Sequence, residues 1–97
     1  MKKLLTVALL LCATGVYAQP DMAKYNKSCA ICHASGAANA PKTGDVAAWA
    51  PRLEKGMDVL VASVNAGLNA MPPKGMCFDC TDDDYKALIN FMAAPAK

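Results

Sequence analysis

Two stretches of the chain repeat their apolar residues at helical spacing. Met57, Leu60, Val61 and Val64 fall at i, i+3, i+4 and i+7 between Gly56 and Gly67, one stripe of a helix with a glycine stop. Tyr85, Leu88, Ile89 and Met92 repeat that spacing within Thr81 to about Ala94. Thr81 with Asp84 three residues on has the form of a capping box, and Asp82 to Asp84 stand where a helix dipole favours negative charge. The acidic run therefore has a local explanation and needs no ligand. A third helix is predicted from Asp21, a candidate N-cap after Pro20, to about Ile31. No segment alternates cleanly as a strand, so the expected fold is all-α. Ala34 to Trp49 and Leu68 to Cys80 are rich in Gly, Pro, Asn and Ala and read as loops. Loops of that length in so small a domain are unusual unless they wrap a ligand.

The first eighteen residues follow a different rule. Met1-Lys2-Lys3 is basic, Leu4 to Ala13 is apolar, and Val16-Tyr17-Ala18 is a small-residue cleavage site before Gln19. This is the pattern of a secretory signal peptide, too short to span a bilayer as a mature helix. No stop-transfer pattern supports a membrane anchor, and Leu11 stands where a lipid-modified Cys12 would want a small residue. Residues 1–18 are thus expected to be removed, leaving 19–97 as a single periplasmic domain.

Removing the leader changes the balance of charge. The ten Lys and Arg lose Lys2 and Lys3, leaving eight against eight Asp and Glu, so the formal +2 belongs to the leader. A neutral mature chain lacks the concentrated basic face that nucleic acid requires. The five cysteines become four, Cys29, Cys32, Cys77 and Cys80, an even count that fits an oxidising compartment. Two Phe, one Trp and many alanines make a thin core. A domain of this size needs a staple, a metal or a cofactor to supply buried surface.

Cys29-Ala30-Ile31-Cys32-His33 offers that cofactor. Two thiols one helical turn apart can add across the vinyl groups of haem, and the next imidazole is then held beneath the iron. CxxCH is the attachment signature of c-type haem. A thioredoxin-like redox pair would want a preceding strand and a βαβ pattern, which are lacking. A zinc site built from both CxxC pairs has the ligand count but requires four reduced thiolates in an exported protein and leaves His33 without a role. Cys77-Phe78-Asp79-Cys80 is followed by Thr81 rather than histidine, so it is not a second haem site. Its plain reading is a disulfide locking the turn before the last helix, contributing about 2 kcal/mol at most by chain entropy. A catalytic redox pair there would want a cationic neighbour to activate it.

His33 is the only histidine, which excludes bis-histidine ligation within one chain. Met57 and Met92 lie on apolar stripes and read as core, and Met22 opens the first helix close to the attachment site. Met71 and Met76 remain, both in NAMPPKGMC. Two prolines after Met71 stiffen the backbone and aim its thioether, whereas Met76 adjoins the second cysteine pair. Position favours Met71 as the distal ligand.

CAICH, APKTGD, AWAPRLEKG, NAMPPKGMCFDC and DDYKALINFM together resemble the class I monohaem cytochromes c, in particular the short bacterial c5 type with a second CxxC after the methionine loop. The resemblance runs from Asp21 to Met92. It implies a small helical fold wrapped around one covalent haem c, moving single electrons without enzymatic chemistry and meeting redox partner proteins at an exposed haem edge. Residue by residue it implies thioether bonds at Cys29 and Cys32, iron ligation by His33 and Met71, and a disulfide between Cys77 and Cys80. It further places the Pro41 carbonyl against the ligand imidazole, Trp49 and Arg52 near the haem propionates, and Tyr25 against the last helix near Leu88 and Phe91. Met76 departs from the pattern, which commonly has glycine there. Lys27, Lys42 and Lys74 flank the expected haem surround and suggest a basic rim for an acidic partner. A haem subunit of a larger oxidoreductase, an open-site gas-binding haem protein and a haem-free zinc or disulfide module are the competing expectations.

Overall fold

Asp21 starts the first helix by accepting from the amides of Ala23 and Lys24 at 3.0 and 3.2 Å. The computed structural model describes residues 19–96, so the predicted leader, residues 1–18, lies outside the described residues. The helix runs as α1 (Met22–Lys24), a π-helical turn (Tyr25–Cys29) and α2 (Ala30–His33). The cap signal at Asp21 predicts one helix here, to about Ile31. The difference has a local cause: the Ser28 hydroxyl donates to the Lys24 carbonyl at 2.6 Å, and the Ala30 amide reaches back five residues to Tyr25.

α3 (Val46–Leu53) corrects the prediction of a loop through Trp49. Asp45 caps it by accepting from the Ala48 amide at 3.2 Å, and Val46, Trp49 and Leu53 share one side at i, i+3 and i+7. Pro51 lies inside this helix and cannot donate to the carbonyl four residues back. α4 (Met57–Ala66) sits between Gly56 and Gly67, as its stripe predicts, and buries Leu60 and Val61. α5 (Asp82–Ala93) begins with both hydrogen bonds of the Thr81–Asp84 capping box in place.

α5 packs against α3 and α4, and its buried face carries Tyr85, Leu88, Ile89 and Met92. Burying Leu88 completely is worth about 1.5–3 kcal/mol. Tyr25 meets Phe91 edge to face at a centroid distance of 5.1 Å, which docks the first helix on the last. Met57 and Met92 join the core, as their stripes predict. Among the described residues there is no strand, only an isolated antiparallel bridge between Leu68 and Met71. The described fold is all-α.

The two long connections are ordered by their own turns. The first contains a short 3₁₀ turn, Ala37–Asn39, then a strap over residues 40–44 that ends in a turn at 43–44. The second contains the Leu68–Met71 bridge and a 3₁₀ turn, Pro73–Met76. Both face the same cleft.

Candidate haem centre

The π-helical turn ends on Cys29 and α2 ends on Cys32 and His33, so the first helix delivers all three side chains to one side. They line a cavity of about 450 Å³ with Arg52, Met71 and Met76. That volume lies within the range of cofactor pockets, and much of the lining is apolar. Cys29 and Cys32 carry free, half-buried thiols. Burial pushes the Cys29 thiol above its ordinary value of 9.0, so it stays protonated at neutral pH. An activated redox thiol requires the opposite shift.

His33 is buried, and its Nδ1 lies 2.8 Å from the Pro41 carbonyl oxygen. A carbonyl only accepts, so Nδ1 carries the proton and Nε2 is left with its lone pair for a metal. This is the contact expected of Pro41, and such a bond raises the basicity of the ring. The His33 carbonyl is held too, by the Thr43 amide at 2.7 Å. Trp49 lies against the imidazole, with centroids 5.6 Å apart and planes tilted by 30°.

The resemblance places the indole N–H of Trp49 near the haem propionates. Trp49 Nε1 donates to the Lys42 carbonyl at 2.9 Å, and Trp49 is not part of the cavity lining. Its role here is to stack on His33 and hold the strap. Arg52 does line the cavity; it donates to the Ala48 carbonyl through Nη1, and other N–H groups of its guanidinium remain.

Met71 reaches the cavity from a two-residue hairpin. Its amide donates to the Leu68 carbonyl at 2.9 Å, and the Leu68 amide returns the bond at 3.0 Å. Pro72 follows in extended conformation, φ −69° and ψ 159°. Two glycines make room: a Cβ on Gly67 would come within 3.1 Å of the Met71 carbonyl oxygen, and one on Gly75 within 2.9 Å of the Met71 methyl. Met76 lines the same cavity but is more exposed and sits at φ +63°, the left-handed region that favours glycine.

Cys77 and Cys80 form a disulfide with their Cα atoms 5.4 Å apart. They are therefore not available to a four-thiolate zinc site with Cys29 and Cys32. Tyr85 donates its hydroxyl to the Cys77 carbonyl at 2.9 Å, which ties this turn to α5. Desolvation holds that phenol above its ordinary value of 10.0, so it remains a donor. Sequence reasoning missed Thr43 and the π-helical Ser28: the Thr43 amide that holds His33 is a group any residue carries, and the Ser28 hydroxyl takes a backbone carbonyl as its acceptor, which spacing does not mark.

A family model described as "Cytochrome C oxidase, cbb3-type, subunit III" matches residues 19–92. The chain is 54% identical over 69 residues to cytochrome c5 of Azotobacter vinelandii, covering 69% of this chain and 83% of that protein. It is similar to a mono-haem ferrocytochrome c from Shewanella putrefaciens, with 59% identity and a TM-score of 0.69, covering 80% and 96% of the two chains. It also matches a chain in the crystal structure of an electron transfer complex of nitrite reductase with cytochrome c, with 44% identity and a TM-score of 0.68, covering 77% and 95%.

Proposed function

The chain belongs to the class I monohaem cytochromes c of the c5 type, electron-transfer proteins with one covalent haem c, and on that premise we propose a periplasmic single-electron shuttle ligated by His33 and Met71. One observation carries the reading: two free thiols, an imidazole with its Nδ1 already engaged, and a thioether share a single cavity. The haem supplies a one-electron Fe(III)/Fe(II) couple when bound. Cys29 and Cys32 anchor it, His33 presents Nε2, and Met71 presents a sulfur that favours the reduced metal. Arg52 supplies charge-assisted donors for the propionates. Apolar walls exclude water and keep charge rearrangement small. With His33 and Met71 both bound to the metal, no protein-free position would remain for substrate chemistry, which supports a carrier rather than an enzyme.

Export is supported by the pattern of residues 1–18, and among the described residues no helix is long and apolar enough to cross a membrane. Partner contact is proposed at the cleft, where Met76 is exposed, with the exposed Ile31 of CAICH adding apolar surface. Lys27, Lys42 and Lys74 are exposed as well and supply the basic rim, though Lys27 has Asp79 at 3.6 Å. The structural neighbour found with nitrite reductase supports an electron-accepting enzyme as the class of partner. High coverage of single-haem relatives favours a free shuttle over a subunit of a larger oxidoreductase.

The optical spectrum of the exported protein tests this reading. Haem c bands on reduction, with the weak far-red band of methionine–Fe(III) ligation in the oxidised form, are expected. That band should disappear in Met71→Ala and persist in Met76→Ala. Haem bands without it, together with carbon monoxide binding to the reduced protein, would establish an open-site haem protein instead.

A further inference from the structure

The strap that follows the haem motif grips His33 twice. The Pro41 carbonyl accepts from the ring at 2.8 Å, and the Thr43 amide donates to the His33 carbonyl at 2.7 Å. The strap is itself pinned from three sides: Trp49 Nε1 donates to the Lys42 carbonyl at 2.9 Å, the Gly44 amide donates to the Met92 carbonyl at 2.7 Å, and the Thr43 hydroxyl pairs with the Tyr25 hydroxyl at 2.8 Å. Only the last of these is made by a side chain of the strap. Tyr25 stands four residues before Cys29 on the helix that carries the haem motif, and it is buried against Phe91. The hydroxyl pair thus closes a ring: helix to strap through Tyr25 and Thr43, strap to ligand through Pro41, ligand to helix through the chain.

From this we infer that Thr43 and Tyr25 are positioning residues that set how closely the Pro41 carbonyl approaches His33 Nδ1, and through it the reduction potential of the iron. The inference rests on His33 being the proximal ligand. A tighter Nδ1–H···O bond gives the imidazole more anionic character, which stabilises Fe(III) over Fe(II). Removing the Thr43 hydroxyl takes away one of the strap's pins, two residues from the accepting carbonyl, and leaves the backbone bonds in place. The ring bond lengthens, the imidazole becomes less basic, and the equilibrium moves toward Fe(II). Other devices that set the potential, the methionine and the burial of the site, are untouched by this change.

Redox titration of the haem-loaded protein, with nuclear magnetic resonance of the reduced state, tests the inference. Thr43→Val, which keeps shape and loses the hydroxyl, should raise the reduced-to-oxidised ratio at fixed ambient potential by two- to tenfold, at most roughly 59 mV for one electron. The His33 Nδ1 proton should move upfield and exchange faster. Thr43→Ser should restore both values. Tyr25→Phe should reproduce the valine variant, and the double variant should add nothing to either single change. If the valine variant fails to fold, the phenylalanine variant makes the same comparison. Folded variants with potential and proton shift unchanged, or serine behaving as valine, would overturn the inference alone. A reduced wild-type protein without haem-shifted His33 ring resonances would overturn the ligand assignment, and the inference with it.

Discussion

The methyl group of Met71 rests over the bare Cα of Gly75: a Cβ built on that glycine would lie 2.9 Å from it. Gly75 is buried and left-handed, with φ +54°. An alanine there meets two costs, about 1–2 kcal/mol for the conformation and the displacement of the methionine. Gly75→Ala is expected to unfold at lower denaturant and to lose intensity in the methionine–Fe(III) band. Guanidinium titration and the far-red spectrum of the same sample measure the two effects separately. A destabilised variant with its red band intact would show that the glycine serves the turn and not the methionine.

The neighbouring residue presents the opposite case. Met76 holds φ +63° with a side chain that is exposed, in a position where the c5 pattern commonly has glycine. Its left-handed conformation follows two others, Lys74 at +63° and Gly75 at +54°. Met76→Gly relieves that strain but lets the unfolded chain explore more conformations. The net expectation is a gain of about 0.5–1 kcal/mol, read from the denaturation midpoint at constant slope. The far-red band should be unchanged.

Residues Thr81 to Asp84 predict how the fold answers acid. Asp84 lies below its ordinary value of 3.8, first because its carboxylate accepts from the Thr81 amide at 2.9 Å, then because Lys24 bonds it at 3.0 Å. A carboxyl depressed in the folded state adds stability above its unfolded value, and that stability is lost as pH falls through the lower folded value. Wild type should therefore melt above Asp84→Asn at neutral pH, with the gap closing only below about pH 3.8. Thermal melts of both proteins from pH 7 to pH 2 give the curve. A gap that stays constant over that range would mean the contribution is shape alone. Both partners are solvent-screened, so the effect belongs to the helix start and not to the haem centre.

What could be read from the sequence follows from how each feature is encoded. α4 and α5 are visible because side chains encode them, through apolar stripes, bounding glycines and a Thr-x-x-Asp cap. α3 was hidden because Ala34 to Trp49 reads as loop by its Gly, Pro, Asn and Ala content, whereas the helix start depends on the local cap that Asp45 places on the Ala48 amide. The π-helical turn depends on which acceptor Ser28 takes, and spacing does not encode that choice. Trp49 shows the same limit. Its ring marks a buried site, but the acceptor of its N–H is the backbone of Lys42, seven residues earlier. CAICH and the paired prolines after Met71 were legible for the opposite reason. Both are chemistry written in side chains, and the fold brings them to one cavity.

The basic rim makes the last prediction, about encounter with a partner. Lys42 and Lys74 are exposed, and Lys74 stands in the turn between Met71 and Met76, against the small apolar recess that Met71 and His33 also line. Lys27 faces Asp79 at 3.6 Å in an exposed pair, which cancels part of its field. Among the described residues Lys42 and Lys74 have no such carboxylate partner and should therefore dominate steering. Residues 19–97 balance eight Lys and Arg against eight Asp and Glu, so attraction from this part of the chain must come from local asymmetry, and it is screened over about 8 Å at physiological salt. The second-order rate of electron transfer to an acidic acceptor should fall several-fold between low and physiological ionic strength. Lys74→Gln should flatten that slope more than Lys27→Gln, with the rate at high salt unchanged for both, as stopped-flow kinetics over a salt series would record. Equal slopes for all three proteins would remove electrostatic steering from the account and leave apolar contact around Ile31 and Met76 as the basis of recognition.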